Sequence, residues 1–156
     1  MTSPDAVVSN SSPLIALERI GRLELLHGLF DERLAIPPAV AHEVYGNVEP
    51  PAWIRVLPVN APLDGTSSPT LGAGEREAIA LAIERSATLI ILDDLPARRL
   101  AASRGLSVIG TVGLLLVAKR TGAIPAVVPL LDALAAAGFR LSVRVRDAAV
   151  AAAGET

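Results

Sequence analysis

Cysteine is absent from the 156 residues, which excludes disulfides and thiolate metal sites and fits a reducing, cytoplasmic setting. Aromatic residues make up only 3%, so the core must be built from Ala, Leu, Val and Ile, as in parallel sheets covered by helices. The two histidines leave little from which to build a zinc site. Long apolar runs are missing too. The longest, 106–118, is interrupted by Gly110 and Gly113 and falls well short of the roughly 20 residues of a membrane span. No basic cluster followed by an apolar run lies between Met1 and Ala6, so a secretory signal is not expected.

What the chain does have is apolar bulk: 51% hydrophobic against 19% charged residues. That balance belongs to a compact globular protein. The length is that of one domain, taken as 1–156, large enough to bury a core without staples. The net charge of −2 argues against a generic polyanion binder, but the charge is unevenly spread. Residues 1–94 carry 13 acids and 6 bases, a net of −7, and residues 95–156 carry 3 acids and 8 bases, a net of +5. An acidic half of this kind can hold a cation while a basic half tracks a phosphate backbone. Uneven placement without function is an equally good account.

The hydrophobic pattern alternates between short apolar runs and amphipathic stretches. Residues 6–9 predict a buried strand, and Ser12-Pro13 a helix start with Ser12 as cap. Helix is expected over 22–30 and from Val40 to the stop at Gly46, with a strand at Leu34-Ala35-Ile36 between them. Residues 47–71 are rich in Pro, Gly, Ser and Thr and predict irregular chain around a short strand at 54–59. Helix follows from Gly74 to Ser86, then the clearest strand, Leu89-Ile90-Ile91-Leu92. Beyond it come helix 96–104, strand 106–109, and helices over 112–121, 125–137 and 143–153. Strands alternating with helices predict an α/β sandwich around a parallel sheet, with its site at the carboxyl ends of the strands.

Polar residues worth noting fall at those ends. Asn10 follows the first strand, and Glu43 stands beside Val44 on a helix whose apolar side should face the sheet. Glu75 opens the helix before the best strand, which Asp93 and Asp94 close. At about 100° per residue, Glu75 projects between Ile79 and Ala82 within the apolar stripe, whereas Glu77 falls with Glu84 on the opposite, solvated side. Two carboxylates about 4 Å apart repel by roughly 4 kcal/mol at an effective dielectric near 20. A cluster therefore needs shared protons or a cation. Oxygen ligands suit Mg²⁺ or Mn²⁺, an ion able to activate water and neutralise a phosphate under attack. Singly, each acid has a structural account: Glu43 paired with an arginine, Asp93 and Asp94 capping the next helix.

These residues resemble a known family. Val7-Val8-Ser9-Asn10-Ser11-Ser12-Pro13-Leu14-Ile15, and Ile36-Pro37-Pro38-Ala39-Val40 with Glu43, are similar to the opening motifs of PIN domains. Gly72-Ala73-Gly74-Glu75-Arg76-Glu77-Ala78-Ile79-Ala80-Leu81-Ala82, Leu92-Asp93-Asp94 with Ala97-Arg98, and Gly110-Thr111-Val112-Gly113-Leu114-Leu115 with Ala118-Lys119 continue the likeness, which runs from Ala6 to Asp147. The nearest resemblance is to a VapC-like prokaryotic group. It implies a Rossmann-like three-layer α/β/α sandwich with a central parallel sheet. It also implies Mg²⁺- or Mn²⁺-dependent RNA cleavage, often by a toxin paired with an antitoxin. By position, Glu43, Glu75 and Asp93 match the acidic ligands, with Asp94 in support, and Ser12 matches a polar residue beside the metal. The first position, usually Asp in the family, is Asn10. An amide oxygen can still coordinate but brings no charge, so affinity for a hard dication should fall. Asp5 is no replacement, because five extended residues put it about 16 Å away.

Other motifs lead nowhere. Gly72-Ala73-Gly74 lacks the third glycine of a dinucleotide loop and places Glu75 where a phosphate would sit. His42-Glu43 lacks the second histidine of a zinc protease, and His42 and His27 read as surface residues. Ser9, Ser11 and Ser12 have no histidine–acid pair, and the Asp93-Asp94 pair does not follow the first strand as a phospho-acceptor receiver requires. Arg98, Arg99, Arg104, Lys119 and Arg120 are candidates for phosphates, Arg98 and Arg99 foremost, although solvation accounts for each singly. Trp53 is expected to pack against the irregular segment. The apolar helix around 112–118 could form the seam of a homodimer, and core packing explains it equally well.

Overall fold

The computed structural model describes residues 5–63 and 70–155. The readings made above on Met1–Pro4 and on part of the irregular stretch, 64–69, lie outside the described residues.

Three apolar tripeptides make the centre of the sheet: β1 (Val7–Ser9), β2 (Leu34–Ile36) and β4 (Leu89–Ile91). Shorter edge strands flank them, β3 (Arg55–Val56) and β5 (Val108–Ile109). All four pairings are parallel, in the order β3-β2-β1-β4-β5. Alternation along the strands sends side chains to two cores. Val7, Leu34, Ile36 and Ile91 join the larger one, with Leu14 and Leu17 of α1 (Ser11–Arg19), Leu26 and Phe30 of α2 (Glu24–Phe30), and Val40 of α3 (Pro38–Tyr45). The opposite core takes Val8, Ala35, Ile90 and Leu92 with α4 (Ala73–Glu84) and α5 (Leu95–Ser103). Helices α6 (Thr111–Arg120), α7 (Val128–Ala136) and α8 (Val143–Ala152) complete the larger core. This is the α/β sandwich that the pattern predicts.

The strand order reverses between β1 and β4, so the connections diverge there and open a crevice at the carboxyl ends of those strands. Asn10 and Asp93 stand directly beyond the two strands that border it.

Local departures have local causes. The first helix is capped at Asn10, not Ser12. The Asn10 amide still pairs with the Ile91 carbonyl at 3.1 Å, so the chain leaves the sheet and enters the helix at once. Pro13 then occupies the third helical position, where no intrahelical donor is needed. Strand β3 is cut to Arg55–Val56 instead of spanning 54–59, because after Leu57 donates to the Ile36 carbonyl, Pro58 has no N–H to offer. Of the proposed dimer seam, Leu114, Leu115 and Ala118 are buried in the larger core. Trp53, expected against the irregular segment, joins the larger core, and His27, expected at the surface, is half-buried and stacks on it with ring centroids 4.8 Å apart. Among the described residues no helix is long and apolar enough to cross a membrane.

Candidate active site

A cleft of about 1160 Å³ opens at the strand reversal, and Asn10, Glu43, Glu75, Asp93 and Asp94 all line it. They arrive from β1, α3, α4 and β4, which the parallel sheet gathers at one end.

Asn10 is almost fully buried, 3% exposed, and its side-chain oxygen has no hydrogen-bond partner among the described residues. An unpaired buried acceptor of this kind costs about 1–3 kcal/mol, a cost removed by anything in the cleft that offers it positive charge. Glu43 is exposed on α3, not directed at the sheet. Its Oε2 accepts a 2.6 Å hydrogen bond from the hydroxyl of buried Ser11. That approach depends on Gly74, where a Cβ would meet Glu43 Oε1 at 2.6 Å. No arginine pairs with Glu43 within salt-bridge distance among the described residues. Glu75 is half-buried, with its Oε2 turned back over Gly72. Asp93 is held at both oxygens: Oδ1 accepts from the Thr111 amide at 2.8 Å and Oδ2 from the Thr111 hydroxyl at 2.6 Å. Gly110 leaves room for this, since a Cβ there would lie 2.9 Å from Asp93 Oδ1.

Other expectations resolve differently. Asp94 is exposed and caps α5, its Oδ2 accepting from the Ala97 amide at 3.0 Å. This is the structural account of that residue. Glu77 is not merely solvated. Its Oε1 accepts from the Ala39 amide in the first turn of α3 at 3.0 Å, and Glu84 does likewise for the amides of Asn60 and Ala61. Ser12 borders the cleft but is exposed; the serine that binds a carboxylate is its neighbour Ser11. Arg98 lines the cleft and donates to the Leu92 carbonyl at 3.0 Å, whereas Arg99 is exposed and is not part of the lining. Successive residues of a helix are rotated by about 100°, so only one of two consecutive arginines can face the site. Lys119 is engaged by Glu155 at 2.8 Å.

Sequence reasoning missed Ser11, Thr111 and two cleft-lining arginines, Arg19 and Arg140. Ser11 was hidden by the assumption that the helix begins later. Thr111 reaches Asp93 from 18 residues away through a β-α-β crossover, a contact that no local periodicity signals.

The atoms that Asn10, Glu43, Glu75, Asp93 and Asp94 can offer a cation are oxygens, the chemistry of a hard dication. Among the described residues no three histidine or acidic side chains stand close enough to hold one ion jointly. Ser11 and Thr111 each hold one carboxylate by a hydrogen bond, and Glu75 lies folded over Gly72. Mg²⁺ needs only one or two carboxylates and keeps several waters, so the set fits such an ion, with the unpartnered Asn10 oxygen as the supporting observation.

A protein-family model described as PIN domain matches residues 6–155. No curated protein and no solved structure matches the chain.

Proposed function

The chain belongs to the PIN-domain family, whose members are in general nucleases, and on that premise we propose that it is a metal-dependent endoribonuclease. The observation that carries this reading is the unpartnered buried oxygen of Asn10 in the same cleft as Glu43, Glu75 and Asp93. In this proposal Mg²⁺ or Mn²⁺ would sit in the cleft lined by Asn10, Glu43, Glu75, Asp93 and Asp94, held directly by one or two of these side chains and facing the others through its own waters. When bound, such an ion supplies positive charge to the attacked phosphate and lowers the pKa of a nearby water.

The chain's own residues do the positioning. Ser11 fixes one oxygen of Glu43, leaving the other for the cleft. Thr111 fixes Asp93 through both donors, so neither carboxylate must reorganise as charge develops. Ser12 and Arg98, at the rim of the cleft, contact the RNA phosphate. Residues 1–156 act as one domain, in the cytoplasm. The protein is the toxin of a toxin–antitoxin pair and works as a homodimer. Expression should arrest growth, and co-expression of a cognate antitoxin should relieve it.

A second reading is favoured by one specific observation: the first acidic position is the uncharged Asn10. On that reading the domain binds RNA or a protein and cleaves weakly. Cleavage of mixed RNA with Mg²⁺ or Mn²⁺ separates the two. The nuclease reading expects wild-type cleavage that Asp93→Asn abolishes. Inactive wild type with activity gained in Asn10→Asp supports the binding module, and activity indifferent to Asp93→Asn contradicts the site.

A further inference from the structure

The cleft extends beyond the carboxylates to the connector between α7 and α8, where Gly138, Phe139, Arg140, Leu141 and Ser142 line it. This connector is locked at both ends. Gly138, at φ +95°, ends α7, while the Phe139 amide donates to the Leu134 carbonyl at 2.9 Å and the Gly138 amide to Ala135 at 3.1 Å. Glycine in the left-handed region with paired return bonds is how a helix closes rigidly. At the other end the Ser142 hydroxyl caps α8, accepting from the Val145 amide at 3.1 Å. Phe139 and Leu141 are half-buried and pack on the larger core, which leaves Arg140 between them exposed.

Arg140 has no hydrogen bond or ion pair among the described residues, nor has Arg19 at the end of α1, which lines the same cleft. Other cations nearby are engaged within the chain: Arg98 by one donor to the Leu92 carbonyl, with its remaining donors free among the described residues, Arg146 by Asp132 at 2.7 Å, and Lys119 by Glu155. Uncommitted, exposed guanidiniums lining a cleft that also holds carboxylates suit a ligand carrying negative charge at more than one point. A nucleic-acid strand meets that need, with one phosphate at the acids and its neighbours at the arginines.

Building on the nuclease reading, we propose that Arg140, presented by the rigid α7–α8 connector, and Arg19 form a phosphate-holding subsite. It grips the RNA strand beside the phosphate that lies at the carboxylates. The connector's rigidity matters because a preformed contact loses less entropy on binding than a mobile loop would.

The test is fluorescence anisotropy with a labelled 12-nucleotide unstructured RNA, with Ca²⁺ as the only divalent ion, across a salt series. Compared are wild type, the double variant Arg19→Ala/Arg140→Ala, Arg140→Lys, and Arg85→Ala as an exposed control outside the cleft. The double variant should bind about tenfold more weakly and lower the salt slope by roughly 1.4, at about 0.7 per lost phosphate contact on a single strand. Arg140→Lys should keep the slope, and Arg85→Ala should match wild type. Unchanged affinity and slope in the double variant overturn the subsite while leaving the nuclease reading standing. Wild type that binds no RNA at any salt overturns both.

Discussion

A Cβ on Gly74 would meet Glu43 Oε1 at 2.6 Å, and one on Gly110 would lie 2.6 Å from Arg98 Nη1 and 2.9 Å from Asp93 Oδ1. These contacts make single methyl groups informative. In Gly74→Ala the flexible end of Glu43 can swing away from Ser11. The lost hydrogen bond then offsets the gain of about 0.5–1 kcal/mol from replacing a helical glycine. Stability should change by less than about 1 kcal/mol while RNA cleavage falls at least tenfold. Urea melts and cleavage rates on the same preparation check this, and full activity in Gly74→Ala would count against Glu43 as a site residue. Thr111→Val keeps the shape and the backbone bond to Asp93 but removes the 2.6 Å hydroxyl bond. It should cost about 1.5–3 kcal/mol, the range for a hydrogen bond to a charged group, read from the urea midpoint. Legibility was uneven at this scale. The acids were visible as polar residues at strand ends, but the donors holding them were not. Glu77 shows the limit: helical periodicity put it on the far side of α4, and that side is where the first turn of α3 lies.

The helices are tied together by acids at their amino termini. Glu155 accepts from the amides of Val127 and Val128 at the start of α7, at 2.7 and 3.1 Å, and from Lys119 of α6 at 2.8 Å. The Lys119 bond first, then the Val127 amide, hold its carboxyl at about 2, below the ordinary value of 4.5. Because the folded-state value is the lower one, the stabilisation is complete above the ordinary value. It is lost as pH falls from about 4.5 to about 2. Glu155→Gln should flatten that part of the acid limb in a plot of melting temperature against pH, and an identical limb would refute the assignment. The central strands, rich in Val, Leu and Ile, were legible because burial on both faces leaves continuous apolar runs. The edge strands were legible in place but not in length, and the start of α1 was not, since such bounds rest on single hydrogen bonds to a neighbouring strand: Leu57 to Ile36 for β3, Asn10 to Ile91 for α1.

Across the whole molecule, the strand order β3-β2-β1-β4-β5 brings distant acids to one cleft. Ile91, fully buried on β4 two residues before Asp93, anchors that arrangement. Ile91→Ala should cost about 2–5 kcal/mol, the range for truncating a buried large side chain, measured by urea unfolding. The parallel α/β class followed from alternating strands and helices, and the gathering of the candidate residues in one cleft agrees with the rule that such sheets bind at their carboxyl ends. How closely the carboxylates approach one another depends on hydroxyls and glycines from other elements, which only the folded chain brings together.

The central claim is that oxygens from β1, α3, α4 and β4 share one divalent ion, and Mn²⁺ titration followed by electron paramagnetic resonance tests it without reference to catalysis. One Mn²⁺ should bind per chain, weakened at least tenfold by Asp93→Asn and tightened by Asn10→Asp, where a charged oxygen replaces the amide. Binding indifferent to both substitutions would contradict the account.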